Sequence, residues 1–183
     1  SVILVVKMNQ KNRLAGSIFS EVTESKYTET PDIDDVKLFK SLFNHIQKLI
    51  KDNKILAMHD ISDGGLVTAL AEMCFTKKVG MNIQVDDIDS INKTLFSEEI
   101  GFVIQVKSDE LDMVKSSLDE INIYVEEVAI IAEESFSILS KQKEVFSESI
   151  IVLEKHWRET SHAIQSIRDN KKIADSELNL LDN

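Results

Sequence analysis

Short runs of β-branched and aliphatic residues alternate with stretches of helical period along most of this chain. That alternation limits the fold more than any other feature. VILVV (2–6), KILAMH (54–59), GMNIQV (80–85), IGFVIQV (100–106) and IYVEEVAIIA (123–132) are apolar and of strand length, and the first two read as buried strands. LAGSIFSEV (14–22) reads as a short helix, followed by a loop over 23–32 that holds the only proline, Pro31. Asp32 reads as the cap of a helix over 33–51, where Ile33, Val36, Phe39, Leu42, Phe43, Ile46, Leu49 and Ile50 recur at helical spacing. GLVTALAEMCF (65–75) sets Leu66, Ala69, Leu70, Met73 and Cys74 on one helix face. Further helices are expected over 90–97, over 108–121 with Ser108 as its cap, and over 149–168. SFSILS and EVFSES are expected to pair as a hairpin. The pattern predicts an α/β layered fold, a mixed sheet covered by helices, and the unequal connections argue against a clean doubly wound sheet.

Composition narrows the function. The 183 residues carry a formal net charge of -11, and arginine occurs only at Arg13, Arg158 and Arg168. Phosphate backbones and anionic membrane surfaces are held by clustered Lys and Arg, so neither nucleic acid nor membrane is an expected partner. No run approaches the roughly 18 apolar residues of a membrane helix. The N-terminus lacks the basic flank and cleavage site of a signal peptide. The one cysteine, Cys74, excludes an internal disulfide and fits a reducing compartment, so a cytoplasmic location is expected. The chain enters VILVV directly after Ser1 and ends in a polar stretch, SIRDNKKIADSELNLLDN. Both ends lead to the expectation of a piece cut from a longer polypeptide, with a domain over 1–170 and a polar tail over 171–183.

The seam at ILAMHDISDGGLVTALAEMC (55–74) is where chemistry is expected. Ligands of open α/β sheets sit beyond the carboxyl ends of strands, and a helix N-terminus offers unpaired N–H groups suited to phosphate. Gly64 and Gly65 have no side chain to keep a ligand off the backbone. Asp60 offers a hard carboxylate oxygen, and Mg²⁺ takes one or two of these beside phosphate oxygens and water. The Ser62 hydroxyl suits a phosphate or a metal-bound water. Together these describe half of a Mg²⁺–nucleotide site. A structural reading stands beside it: Ser62 or Asp63 caps the helix, and Asp60 closes a turn.

The motif HDISDGGLVTALAEMCF closely resembles a segment of the phosphoribosylformylglycinamidine synthase (FGAM synthase) family. LAGSIFSEV, LFSEEIGFVIQV and VFSESIIVLEKHWRETSHAIQSIRDN resemble further stretches of that family in the same order, so the resemblance runs over about residues 2–175. The last stretch sets the family apart from other members of the aminoimidazole ribonucleotide synthetase superfamily, such as kinase-like and selenophosphate-synthetase-like proteins. The resemblance implies the superfamily's C-terminal α/β subdomain, from the second half of a duplicated synthetase. It implies a ligase of purine biosynthesis, making formylglycinamidine ribonucleotide (FGAM) from formylglycinamide ribonucleotide (FGAR), ATP and glutamine. It implies Mg²⁺ and ATP or ADP as cofactors, with Asp60 a metal ligand and Ser62 a nucleotide contact. The remaining metal ligands would come from a preceding ATP-binding subdomain, and ammonia from a glutaminase domain of the same full-length chain. Alone, the chain would then be inactive. A non-catalytic interaction or scaffold domain of the same superfamily is the alternative. Ile150 stands where the family pattern has Arg, so no anion contact is carried onto that position.

Other candidates read as structural. His59 suits a packed or hydrogen-bonded role better than substrate contact. Glu98 and Glu99 are adjacent and point apart, so they do not form an acid–base couple, and a place for one of the two in the family site stays open. Cys74 lies on an apolar helix face and reads as core rather than nucleophile. Trp157, His156 and His162 fit a helix docking on its own sheet or on a neighbouring domain.

Overall fold

VILVV is continuous rather than alternating because it is buried on both faces. In a computed structural model that describes residues 1–86 and 90–182, Ile3 and Val5 enter one core while Leu4 and Val6 enter another. In chain order the elements are β1 (Val2–Lys7), α1 (Ile18–Val22), α2 (Val36–Lys51), β2 (Ala57–Asp60), α3 (Gly65–Phe75), β3 (Gly80–Val85) and α4 (Ile91–Phe96). They continue as β4 (Gly101–Val106), α5 (Leu111–Asp119), β5 (Tyr124–Ala132), β6 (Ser135–Ser140), β7 (Lys143–Ser149), α6 (Ile150–Arg168) and α7 (Lys171–Asn179). A 3₁₀ turn, Leu180–Asp182, follows.

Among the described residues seven strands form one sheet in the order β2-β4-β1-β5-β3-β6-β7. Every pairing is antiparallel except β3 with β6, so the sheet is mixed, as expected. One core packs Leu66, Ala69, Leu70 and Cys74 of α3 against the sheet; the other packs Leu42, Ile46 and Leu49 of α2 with Val114 and Leu118 of α5. The β6–β7 hairpin forms as expected, and Ser149 caps α6 by accepting from the Ile151 N–H.

Four expectations need correction. KILAMH is not a buried strand: β2 is the sheet's outer strand, with Leu56 48% and Met58 38% exposed. A short apolar run does not distinguish a central strand from an edge. Asp32 does not cap α2; Asp35 does, accepting from the N–H groups of Lys37 and Leu38 at 2.8 and 3.0 Å. Asp32 and Asp34 are drawn instead towards Arg13, through the Asp32 carbonyl and the Asp34 carboxylate. Ser108 does not cap α5, which starts at Leu111 without a side-chain cap. Residues 171–179, expected as polar tail, form α7, whose cap Asn170 accepts from the Lys172 N–H. Ala174 is buried, and His162 and Gln165 of α6 bond to Asp175 and Glu177. Asn183, the last residue of the expected tail, lies outside the described residues.

The loop after β1 is locked to the start of β4 by a buried ion pair. Arg13 Nε and Nη2 donate to the two oxygens of Glu99 at 2.6 and 2.8 Å, and the Arg13 backbone N–H adds a third bond at 3.1 Å. The side chains are only 8% and 2% exposed. Burial alone pushes the Glu99 carboxyl up, but the side-chain and backbone bonds from Arg13, with its charge, hold it below the usual carboxylate range. Removing one partner leaves an uncompensated buried charge, so Glu99→Ala is expected to cost about 3–5 kcal/mol in denaturant unfolding. The depressed carboxyl contributes fully above its unfolded value, about pH 4.3, and the contribution is lost as pH falls through the lower folded value. Glu99→Gln should therefore flatten the loss of stability below that pH, measured as unfolding free energy against pH.

Candidate functional site

The seam between β2 and α3 lies at the end of the sheet where Asp60, Phe102, Gly101, Lys7 and Tyr124 meet in register. The Ile61 N–H donates to the Gly101 carbonyl at 3.0 Å, fastening the exit of β2 to β4. The turn then needs two left-handed residues: Gly64 has φ 85° and Gly65 φ 73°. At Gly65 space is also limiting, since a Cβ would lie 2.6 Å from the Phe96 carbonyl carbon and 2.9 Å from the Leu95 oxygen. The two glycines thus let the start of α3 press against the end of α4.

Neither Ser62 nor Asp63 caps α3. Gly64 occupies the cap position and has no side chain to offer. Its N–H donates at 2.9 Å to Glu98 Oε1, which also accepts the Ile18 N–H at 2.9 Å. The cap therefore comes from a residue distant in sequence. The Gly65 N–H donates to the Ser62 carbonyl at 2.9 Å. Both glycine N–H groups, read from sequence as open to a ligand, are engaged within the protein. The side chains of Ser62 and Asp63 are exposed and, among the described residues, make no hydrogen bond. The Asp60 side chain is 68% exposed. The turn thus presents three oxygen-bearing side chains outward from a backbone bonded on the inside.

His59 is hydrogen-bonded, as its position suggested. Nε2 lies 2.8 Å from Glu72 Oε2 on α3, and Nδ1 2.7 Å from the Asp60 carbonyl. The other Glu72 oxygen accepts the Trp157 indole N–H at 2.7 Å, and the Trp157 ring lies 5.6 Å from that of Phe75. Trp157 is therefore one contact by which α6 docks on α3 beside the seam, with Ile150 and Leu153 packing into the same core. Glu98 and Glu99 do point apart, one towards the turn and the other to Arg13. Cys74 is fully buried, and desolvation pushes its thiol up to about 12, which keeps it from acting as a nucleophile.

Sequence reasoning missed two features at this end of the sheet. The trans cap from Glu98 spans 34 positions, and no local spacing rule reports such a contact. Lys7 closes β1 beside a cavity of about 180 Å³ lined by Asn12, Gln84, Tyr124 and Glu126 among others. Burial lowers the Lys7 pKa, partly offset by the charges of Glu126 and Glu99, and its ammonium donates to Asn12 Oδ1 at 2.7 Å. A basic residue at the end of an apolar run reads as the strand's solvated terminus. Among the described residues no group of three or more His, Cys, Asp or Glu side chains converges to hold a metal ion. Asp60 is a single carboxylate, which fits part of a Mg²⁺ shell and not a whole one.

Residues 1–139 match a protein-family model described as AIR synthase related protein, C-terminal domain. Among solved structures, PurL of Thermotoga maritima complexed with FGAR is similar over 83% of this chain and 27% of its own, with a TM-score of 0.67 at 17% identity. Phosphoribosylformylglycinamidine synthase II of the same organism gives a TM-score of 0.66 at 11% identity, over 83% of this chain and 25% of that one. Thiamine-monophosphate kinase from Stenotrophomonas maltophilia K279a gives a TM-score of 0.50 at 13% identity, covering 78% of this chain and 50% of its own. At these identities the likeness is one of fold. The chain spans about a quarter of the length of the PurL chains it matches.

The two glycines differ in what surrounds them. Gly65→Ala drives a Cβ into backbone and should cost about 3 kcal/mol. Gly64→Ala meets a side chain rather than backbone, the Thr68 hydroxyl, which would give up its bond to the Gly64 carbonyl, and should cost about 2 kcal/mol. Urea unfolding of the two variants checks the order.

Proposed function

Because the chain belongs to the AIR synthase related C-terminal domain family, and carries that family's mixed-sheet fold, we propose that it is one subdomain of a phosphoribosylformylglycinamidine synthase and supplies part of a Mg²⁺–nucleotide site. The supporting observation is the seam itself: Asp60, Ser62 and Asp63 are exposed and face away from a turn whose backbone is bonded internally. Such a turn has its backbone already ordered, so binding bears only the cost of ordering the side chains. In this reading Asp60 is a metal ligand and Ser62 contacts the nucleotide. Gly64 and Gly65 let the turn close tightly beside it. Mg²⁺, when bound, neutralises phosphate charge. The overall reaction is ATP-dependent amidation of FGAR to FGAM, with glutamine as the nitrogen source.

In this reading the rest of the metal shell comes from an ATP-binding subdomain of a longer chain, and ammonia from a glutaminase domain of that chain; that no three metal-binding side chains converge among the described residues supports it. The location proposed is cytoplasmic. A second reading, an interaction domain of the same superfamily without a working site, draws on the same observation that no three metal-binding side chains converge among the described residues.

Two outcomes are expected. This chain alone should show no turnover of FGAR with ATP and ammonia. In the full-length enzyme, Asp60→Asn should weaken Mg²⁺–nucleotide binding by about tenfold or more, about 1.4 kcal/mol, seen as loss of nucleotide that co-purifies with the enzyme. Unchanged nucleotide content would favour the second reading.

A further inference from the structure

The residues that ordinarily cap a helix, Ser62 and Asp63, stand just ahead of α3, yet neither does so. Their hydroxyl and carboxylate are left to solvent because Glu98 does the capping from the segment between α4 and β4. One oxygen, Oε1, takes the N–H of Gly64 and the N–H of Ile18, so two turns far apart in sequence are tied to a single atom. Glu98 is itself fixed from behind, because the next residue, Glu99, is held in the core by Arg13. A carboxylate at the start of α3 also meets the favourable end of the helix dipole.

Resting on the nucleotide-site reading above, we propose that Glu98 is a positioning residue for the Asp60–Gly65 turn: by capping α3 from outside, it fixes the turn and releases Ser62 and Asp63 for ligand contact. The Gly64 N–H is then closed to phosphate, and a phosphorylated ligand engages this turn through side chains and metal rather than through the backbone.

The test uses the ¹⁵N-labelled 183-residue chain, amide exchange at Gly64 and Ile18, and Mn²⁺ alone as a paramagnetic substitute for Mg²⁺. Glu98→Ala should speed exchange at both amides by about tenfold or more and weaken Mn²⁺ broadening of the Asp60 and Ser62 amides. Glu98→Gln, whose amide oxygen can accept both bonds, should restore protection and broadening. Should Glu98→Ala fail to fold, Glu98→Asp, one methylene shorter, should deprotect at least one of the two amides. Protection at Gly64 and Ile18 that survives Glu98→Ala would overturn the proposal. So would faster exchange spread evenly over β1 and β4, since a general loss of stability is not positioning. Absence of Mn²⁺ broadening at Asp60 in the unmutated chain would count against the nucleotide-site reading instead, while the exchange data still decide the role of Glu98.

Discussion

Glu99 is stripped of water at the foot of β4, and Arg13 replaces that water with three hydrogen bonds and a charge. A buried pair of this kind is weak evidence for stability relative to an apolar substitute, because desolvation offsets much of the attraction. Its value lies in registration. The loop after β1 has few large apolar side chains of its own, and without Arg13 little would decide where residues 8–17 run. With the pair formed, Ser97 can bond the Arg13 carbonyl, Asp34 and the Asp32 carbonyl close over the guanidinium, and Glu98 is aimed at α1 and α3. The start of α2, the start of α1 and the seam after β2 all refer back to one arginine.

The sheet was legible in the sequence because its strands are short, β-branched and bounded by helical periods. The continuous hydrophobicity of VILVV even reports burial on both faces. Helix starts were less legible. Asp32, Asp34 and Asp35 are equally good caps by residue type, and only the position of Arg13, set by tertiary structure, decides which are drawn away. Ser108 failed for a related reason: the chain passes it in a turn, and α5 begins at Leu111 with Glu110 engaged by Lys54. The outer position of β2 was not legible, since IL and M would suit a buried strand equally well.

At the site, the residue types were legible and their division of labour was not. Asp60 and Ser62 stand exposed, where a ligand-facing role needs them. The glycine N–H groups, which by general rule face an anion, turned inward. The reason is a carboxylate supplied from beyond α4, and the adjacent Glu98 and Glu99 gave the only hint. Their alternation, one outward to the turn and one inward to the core, is what a chain entering a strand imposes on neighbours. A pair that looks like acid–base machinery is here a capping residue beside an ion-pair partner.

β1, an interior strand of the sheet, has a consequence for how this chain reaches its fold. β1 comes well before both its neighbours in the chain: Val2 pairs with Val106 on one side and Ile130 on the other. Until β4 and β5 have left the ribosome, VILVVK has no partner along either edge. Such wide sequence separation makes closure entropically costly and folding slow. During that wait a six-residue β-branched segment with a single charge is open to pairing with other copies. A chain of this design depends on dilution or on a chaperone until those later strands are available, and its refolding yield should be governed by concentration more than by final stability.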